Sequence, residues 1–216
     1  MSGGRAGRGS RQDGRAVGTA ARRAAPGAAS AAAVVLLLSG CVTDADAGVD
    51  ADCGDAERLD NPVLALMAQA VPTATLIPCV RLVPASWRHG DVDVHSGRAS
   101  FSFASGSVDS PDAVPVEVVL TEGCDTAGAT EVPTDEPGTR RWERLRQVSP
   151  AYAGDRLYVF DGGCVRLRFR LTGSDRVQAV GEASLAIGFL PRAAVREAVR
   201  RRSDGQLELD GPGAPT

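Results

Sequence analysis

Two histidines and two aspartates, His89, Asp91, Asp93 and His95, fall at alternate positions of one short stretch. Imidazole and carboxylate are the groups that hold divalent metals and move protons near neutral pH, and positions two apart share one face of a strand. At ~3.3 Å per residue the set spans about 20 Å, too far for one four-ligand site. Asp93 with His95 would need ligands from elsewhere, and the intervening Val92 and Val94 give the same alternation to a plain polar outer strand face. The second available chemistry is anion binding. Arg166, Arg168 and Arg170 alternate on one strand face, and Arg192, Arg196 and Arg200 recur four apart on one helix face. Guanidinium forks match phosphate and carboxylate. There is no GxSxG elbow, HExxH, P-loop or dinucleotide fingerprint. No catalytic residue, metal or cofactor is therefore assigned, and an enzyme is the less favoured class.

The elements that must carry these residues follow from periodicity and breakers. Asn61-Pro62 predicts a helix start leading into Val63 to Ala68, and Pro72 predicts its end. Thr73 to Val83, broken by Pro78 and Pro84, reads as an edge or bulged strand. Asp91 to His95, the turn Ser96-Gly97 and Ser100 to Phe103 predict a hairpin with Val92, Val94, Phe101 and Phe103 on its apolar side. Ser105 to Pro115 reads as a loop, Val116 to Thr121 as a strand and Asp125 to Gly138 as a long loop; Arg140 to Val148, containing Trp142, reads as a strand. Leu157 to Phe160 and Cys164 to Leu171 flank Asp161-Gly162-Gly163. A two-residue turn there places Tyr158 and Phe160 with Val165, Leu167 and Phe169, and Cys164 with the three arginines opposite. Ser174 to Leu190 is expected to be helical, capped by Ser174 or Asp175, with Val177, Val180, Ser184 and Ile187 on one side, although Gly181 and Gly188 leave a strand open for part of it. Pro191 to Arg202 reads as a helix with Ala194, Val195, Ala198 and Val199 inward, Gly205 as its stop, and Gln206 to Leu209 as a short strand.

Upstream of all this lies an apolar run, Ala28 to Leu38, which has eleven residues and follows an Arg-rich start. That length suits the ~7 to 15 of a signal-peptide core and falls short of the ~20 that span a bilayer. The run closes on Leu38-Ser39-Gly40-Cys41, which resembles the lipobox of bacterial lipoprotein precursors. Leu38 matches the aliphatic position, Ser39 and Gly40 the small ones, and Cys41 the thiol. The resemblance implies cleavage after Gly40 and a diacylglyceryl thioether on Cys41, hence a mature chain anchored to the extracytoplasmic face of a bacterial cell membrane. Two acyl chains suffice for stable anchoring, since each buried methylene is worth ~0.8 kcal/mol.

An exported chain is oxidised, so Cys53, Cys79, Cys124 and Cys164 read as two disulfides. Three pairings are open, and proximity favours Cys53 with Cys79 and Cys124 with Cys164. Removing residues 1 to 40, which hold six Arg and one Asp, takes the formal charge from −3 to −8. The basic residues of the 216 are all arginine. Residues 42 to 136 carry 17 acids and four Arg, whereas 137 to 202 carry six acids and 14 Arg. The expected organisation is a signal peptide at 1–40, an acidic lipidated tether at 41–60, a single domain at 61–210 and a tail at 211–216. The fold class is α+β: an antiparallel sheet with helices near its N- and C-terminal ends and two disulfides. The expected function is a lipid-anchored envelope binding or accessory module. Anionic lipid, a cell-wall polymer or another envelope protein would meet the arginine rows, unless the acidic half of the chain already neutralises them; nucleic acid is not expected outside the cell. The alternatives are a hydrolase or metal-dependent enzyme centred on His89 to His95, and a scaffold for an envelope protein.

Overall fold

Alternation of apolar and polar residues builds a seven-stranded antiparallel sheet with one buried face. This computed structural model describes residues 53–54, 62–84, 87–105, 116–174 and 176–211. Leu38 to Cys41, the tether at 42–52 and 55–60, Asn61, residues 106–115, Asp175 and the tail from 212 lie outside the described residues. In order the elements are α1 (Pro62–Ala70), β1 (Leu76–Val80), β2 (Trp87–His95), β3 (Arg98–Ser105), β4 (Val116–Thr121), β5 (Thr130–Val132), β6 (Arg140–Gln147), β7 (Tyr152–Phe160), β8 (Gly163–Leu171), α2 (Arg176–Ala186), β9 (Ile187–Pro191) and α3 (Arg192–Arg202). The large sheet runs β2-β3-β4-β8-β7-β6-β5, and β1 pairs with β9 in a separate two-stranded sheet. The described residues belong to one compact unit, Asp44–Thr216, with its own core and both disulfides.

Phe101, Phe103, Val116, Val118, Leu120, Val165, Leu167 and Phe169 fill the inner face, and each buried side chain of this size is worth roughly 1.5–3 kcal/mol. Over it lie α1, α2, α3 and the β1/β9 pair. Pro62 opens α1 at the position where its missing N–H costs nothing, and Leu64, Met67 and Ala68 turn inward. Pro72 disfavours helical geometry at Val71 and ends it. Phe189 of β9 packs on Tyr158 at 5.0 Å and on Phe160 at 6.3 Å. Glu182 of α2 accepts from Trp87 Nε1 at 3.3 Å.

Phe160 pairs with Gly163, so the β7–β8 turn is Asp161-Gly162 and both flanks present their apolar residues inward, as expected. Gly162 has φ 68°, and a Cβ there would come within 1.9 Å of the Thr73 carbonyl oxygen. The turn is seated on the α1–β1 connection, where Thr75 donates N–H and Oγ1 to the Asp161 carbonyl at 3.2 and 2.7 Å. Cys53 bonds to Cys79 on β1 and Cys124 to Cys164 on β8. Cys53 N–H also donates to Val80 at 2.8 Å, tying the tether at this residue to the β1 edge.

Five expectations need correction. The helix expected through Leu190 stops at Ala186, and Ile187–Pro191 is a strand. Gly188 explains the change: its Cα approaches Arg81 and Cys53 so closely that a Cβ would lie 2.6 Å from Arg81 Nε and 2.9 Å from Cys53 Sγ. The inward side of α2 is Ala183 and Ala186, with Ala179 and the expected Val180 packed against the core, whereas Val177 is exposed. Residues 206–209 form no strand, although Leu209 is buried. The loop from Asp125 to Gly138 contains β5. On β2, two residues, Gly90 and Asp91, oppose Ser102 in a bulge between the pairs His89↔Phe103 and Val92↔Phe101.

Candidate functional site

The outer face of the large sheet collects what the sequence placed on separate strands. Register defines three rows across it. The first reads Ser102, Glu117, Arg168, Asp155, Arg144; the second Asp93, Ser100, Val119, Arg166, Leu157, Trp142, Glu131; the third His95, Arg98, Thr121, Cys164, Val159, Arg140. Arg146 joins the first row by pairing with Asp155, and Arg170, exposed, continues the arginine column of β8.

Most of these arginines are already engaged. Glu117 accepts from Arg98 and from Arg168, each at 2.9 Å. The Asp155 carboxylate is 1% exposed and takes Arg146 on Oδ2, with Arg144 at 3.9 Å. Arg144 also donates to the carbonyls of Asp125 and Ala127 at 2.9 and 2.7 Å. Together with the Cys124–Cys164 disulfide, this pins the β4–β5 loop to the face at two points. Leu157, between those pins in register, is buried.

Arg166 differs from its neighbours. Its cross-strand partners are Val119 and Leu157, both 1% exposed, where Arg168 has Glu117 and Asp155. Among the described residues its side chain makes no hydrogen bond or ion pair; Nε is buried without a partner, and the terminal nitrogens still reach the surface. Burial first, and then the adjacent Arg168 guanidinium, lower the Arg166 pKa from the ordinary arginine value, with the Asp155 and Glu117 carboxylates opposing. It stays charged, because arginine does not lose its proton in proteins. Across these rows seven arginines stand with four carboxylates, and Arg166 is a half-buried fork without an ion pair of its own.

The second arginine row does not form one surface. Arg192 donates to the carbonyls of Ala68, Val71 (3.4 Å) and Asp210 (2.6 Å), joining the end of α1 to the C-terminal segment. Burial and then Arg196 lower its pKa. Arg196 is exposed, and Arg200 pairs with Glu197 at 3.1 Å. A shallow depression beside it is lined by Glu197, Arg200, Arg201, Asp204 and Gly205.

The His89 to His95 set is divided by the bulge. His89 falls on the inner side, 5.5 Å from the Phe103 ring, while Asp93 and His95 are on the outer face with His95 Nε2 2.7 Å from Asp93 Oδ1. Among the described residues no three His, Cys, Asp or Glu side chains gather as metal ligands. At the opposite edge Glu131 takes Arg140 through two bonds of 2.8 and 2.9 Å, and Arg140 lies 5.3 Å above the Trp142 ring. The arginine hydrogen bond pulls the Glu131 pKa down.

Sequence reasoning missed Arg98, Arg144 and Arg146. Arg144 and Arg146 alternate with Trp142, a period-two signal that was present. Which face they share with Arg166 depends on the pairing of β6 with β7 across a bulge after Leu145.

No protein-family model matches the chain, and no curated protein matches it. Among solved structures, a crystal structure of a protein from Bacteroides thetaiotaomicron is similar at 15% identity, covering 57% of this chain and 48% of that one, with a TM-score of 0.30. The chain spans about half the length of that protein.

Proposed function

We propose that the chain is a lipid-anchored binding protein of the extracytoplasmic face of a bacterial cell membrane, and that it holds an anionic ligand on the outer arginine face of its large sheet. The lipobox-like Leu38 to Cys41 supports the anchor. Two disulfides support an oxidising compartment. The observation that carries the binding assignment is Arg166: a half-buried guanidinium with apolar side chains in register on both sides and no carboxylate of its own. Desolvating a cation is costly unless a partner restores what water supplied. An oxyanion from outside the chain supplies that partner. Among the described residues no helix is long and apolar enough to cross a membrane, and attachment falls to the proposed lipid on Cys41.

The test has two parts. Expressed in a bacterial host, the full chain should gain a diacylglyceryl mass at Cys41 and sediment with membranes, and Cys41→Ala should do neither; a soluble, unmodified wild type would overturn the anchor. Residues 42–216, exported from the same host and analysed by native mass spectrometry and calorimetry, should bind small oxyanions, with Arg166→Gln weakening binding about tenfold, in the range of a charge-assisted hydrogen bond. Equal binding by Arg166→Gln, or none by either protein, would overturn the site.

A further inference from the structure

The shape of the positive surface narrows the ligand, given the anion-binding reading on which this step rests. We propose that the arginine face binds a linear phosphate polymer laid along β8, with phosphates of one chain at Arg166, Arg168 and Arg170.

Among the described residues the arginines of the face without an ion pair, Arg166 and Arg170, lie on one strand, with Arg168, paired to Glu117, between them. Both sheet edges carry matched pairs, Asp93 with His95 on β2 and Glu131 with Arg140 between β5 and β6. A broad anionic plane pressed on the face would cover these edge carboxylates and gain nothing from them. None of the exposed large apolar side chains belongs to the three rows, so the face offers nothing to insert into lipid. A chain following β8 meets Arg166, which has no ion pair, passes Arg168 between Glu117 and Asp155, and reaches Arg170, exposed and without a described partner. Alternate residues on a strand are ~6.8 Å apart, so the three positions span roughly 14 Å. That is longer than one phosphate and suited to a repeating one. Phosphate is favoured over carboxylate because its tetrahedral oxygens accept from forks arriving at different angles. Arg98 and Arg168 come to the same region from β3 and β8. Stacking of nucleobases would need open aromatic faces, and Trp142, the aromatic residue in the rows, lies under Arg140.

The test titrates residues 42–216 with short inorganic polyphosphate, orthophosphate, poly-glutamate and anionic phospholipid vesicles. Polyphosphate should bind at least tenfold more tightly than orthophosphate, with log affinity falling against log salt at a slope of about −2, as for three phosphate contacts on a single strand. Arg170→Gln, at an exposed position, should cut polyphosphate affinity about three- to tenfold and flatten the slope by about 0.7, a larger loss than it causes for orthophosphate. Equal affinity for orthophosphate and polyphosphate, with no effect of Arg170→Gln, would overturn the polymer while the anion site stands. Preference for poly-glutamate or for vesicles would overturn it in favour of those surfaces. Loss of every ligand would remove the anion site as well.

Discussion

Glu117 sits directly across from Arg168 on the neighbouring strand and accepts its guanidinium at 2.9 Å. Two residues along the same strands, Val119 faces Arg166 in the equivalent position. One alternation thus yields two kinds of arginine. Arg168 is held by the fold's own carboxylates, and Arg166 has only apolar flanks. The paired arginines are held within the surface; the unpaired one is the position to which the proposed anion is assigned.

Asp155 is the internal counter-ion of this face, 1% exposed and shared by Arg144 and Arg146. Removing a buried carboxylate whose arginine partners keep 27% and 47% exposure costs about 1–3 kcal/mol. Asp155→Asn should therefore lower the urea midpoint by that equivalent. In the fraction that remains folded it should tighten anion binding, because one negative charge leaves the face. Calorimetry below the unfolding midpoint reads the second effect; weaker binding by the folded variant would contradict this account of the charge balance.

Gly162 fixes how the β7–β8 hairpin meets the α1–β1 connection. A methyl at this position meets the Thr73 carbonyl at 1.9 Å on a backbone already at φ 68°. Left-handed strain alone costs about 1–3 kcal/mol. Gly162→Ala should thus lower Tm by about 5 °C or more, measured by scanning calorimetry. Gly128, also at positive φ but with open space around it, should tolerate alanine better.

How much of this was legible in the sequence depended on what had to be known. The β2–β3 and β7–β8 hairpins were readable because one buried face imposes a period of two on neighbouring segments. Arg166, Arg168 and Arg170 were readable for the same reason. The bulge at Gly90-Asp91 was not: a single inserted residue sends His89 inward and leaves Asp93 and His95 outward, and only the pairing with β3 reveals it. Nor was β9, whose extended state depends on pairing with β1, more than a hundred residues earlier. The join of β4 to β8 passes over three intervening strands, which hid the meeting of Glu117 with Arg168.

Arg192 should behave as a structural arginine. It ties the carbonyls of Ala68 and Val71 to that of Asp210, so its loss leaves half-buried acceptors unmet. Arg192→Ala should cost about 1–3 kcal/mol of stability and leave anion binding at the sheet unchanged. Arg192→Lys should recover little, since one ammonium lacks the fork that reaches several carbonyls. Paired urea melts and anion titrations of the two variants check both statements; a ligand-binding defect at full stability would return Arg192 to the binding surface.

Tyr152 links the fold to alkaline pH. Its ring packs edge-on to Phe169 at 6.2 Å, and its phenol pKa is raised, by burial first and then by the nearby Glu143 carboxylate, with Arg156 opposing. A raised pKa means the folded protein holds this proton more firmly than the unfolded chain does. The stabilising contribution is complete below the unfolded phenol value of about 10 and is lost as pH rises through the folded one. Wild type should therefore lose stability above about pH 10 more steeply than Tyr152→Phe, which has no proton to lose. Urea midpoints of both proteins at stepped alkaline pH measure the difference in slope. Parallel slopes would mean that the folded and unfolded chains release the Tyr152 proton alike, and that neither the burial of the ring nor Glu143 acts on it.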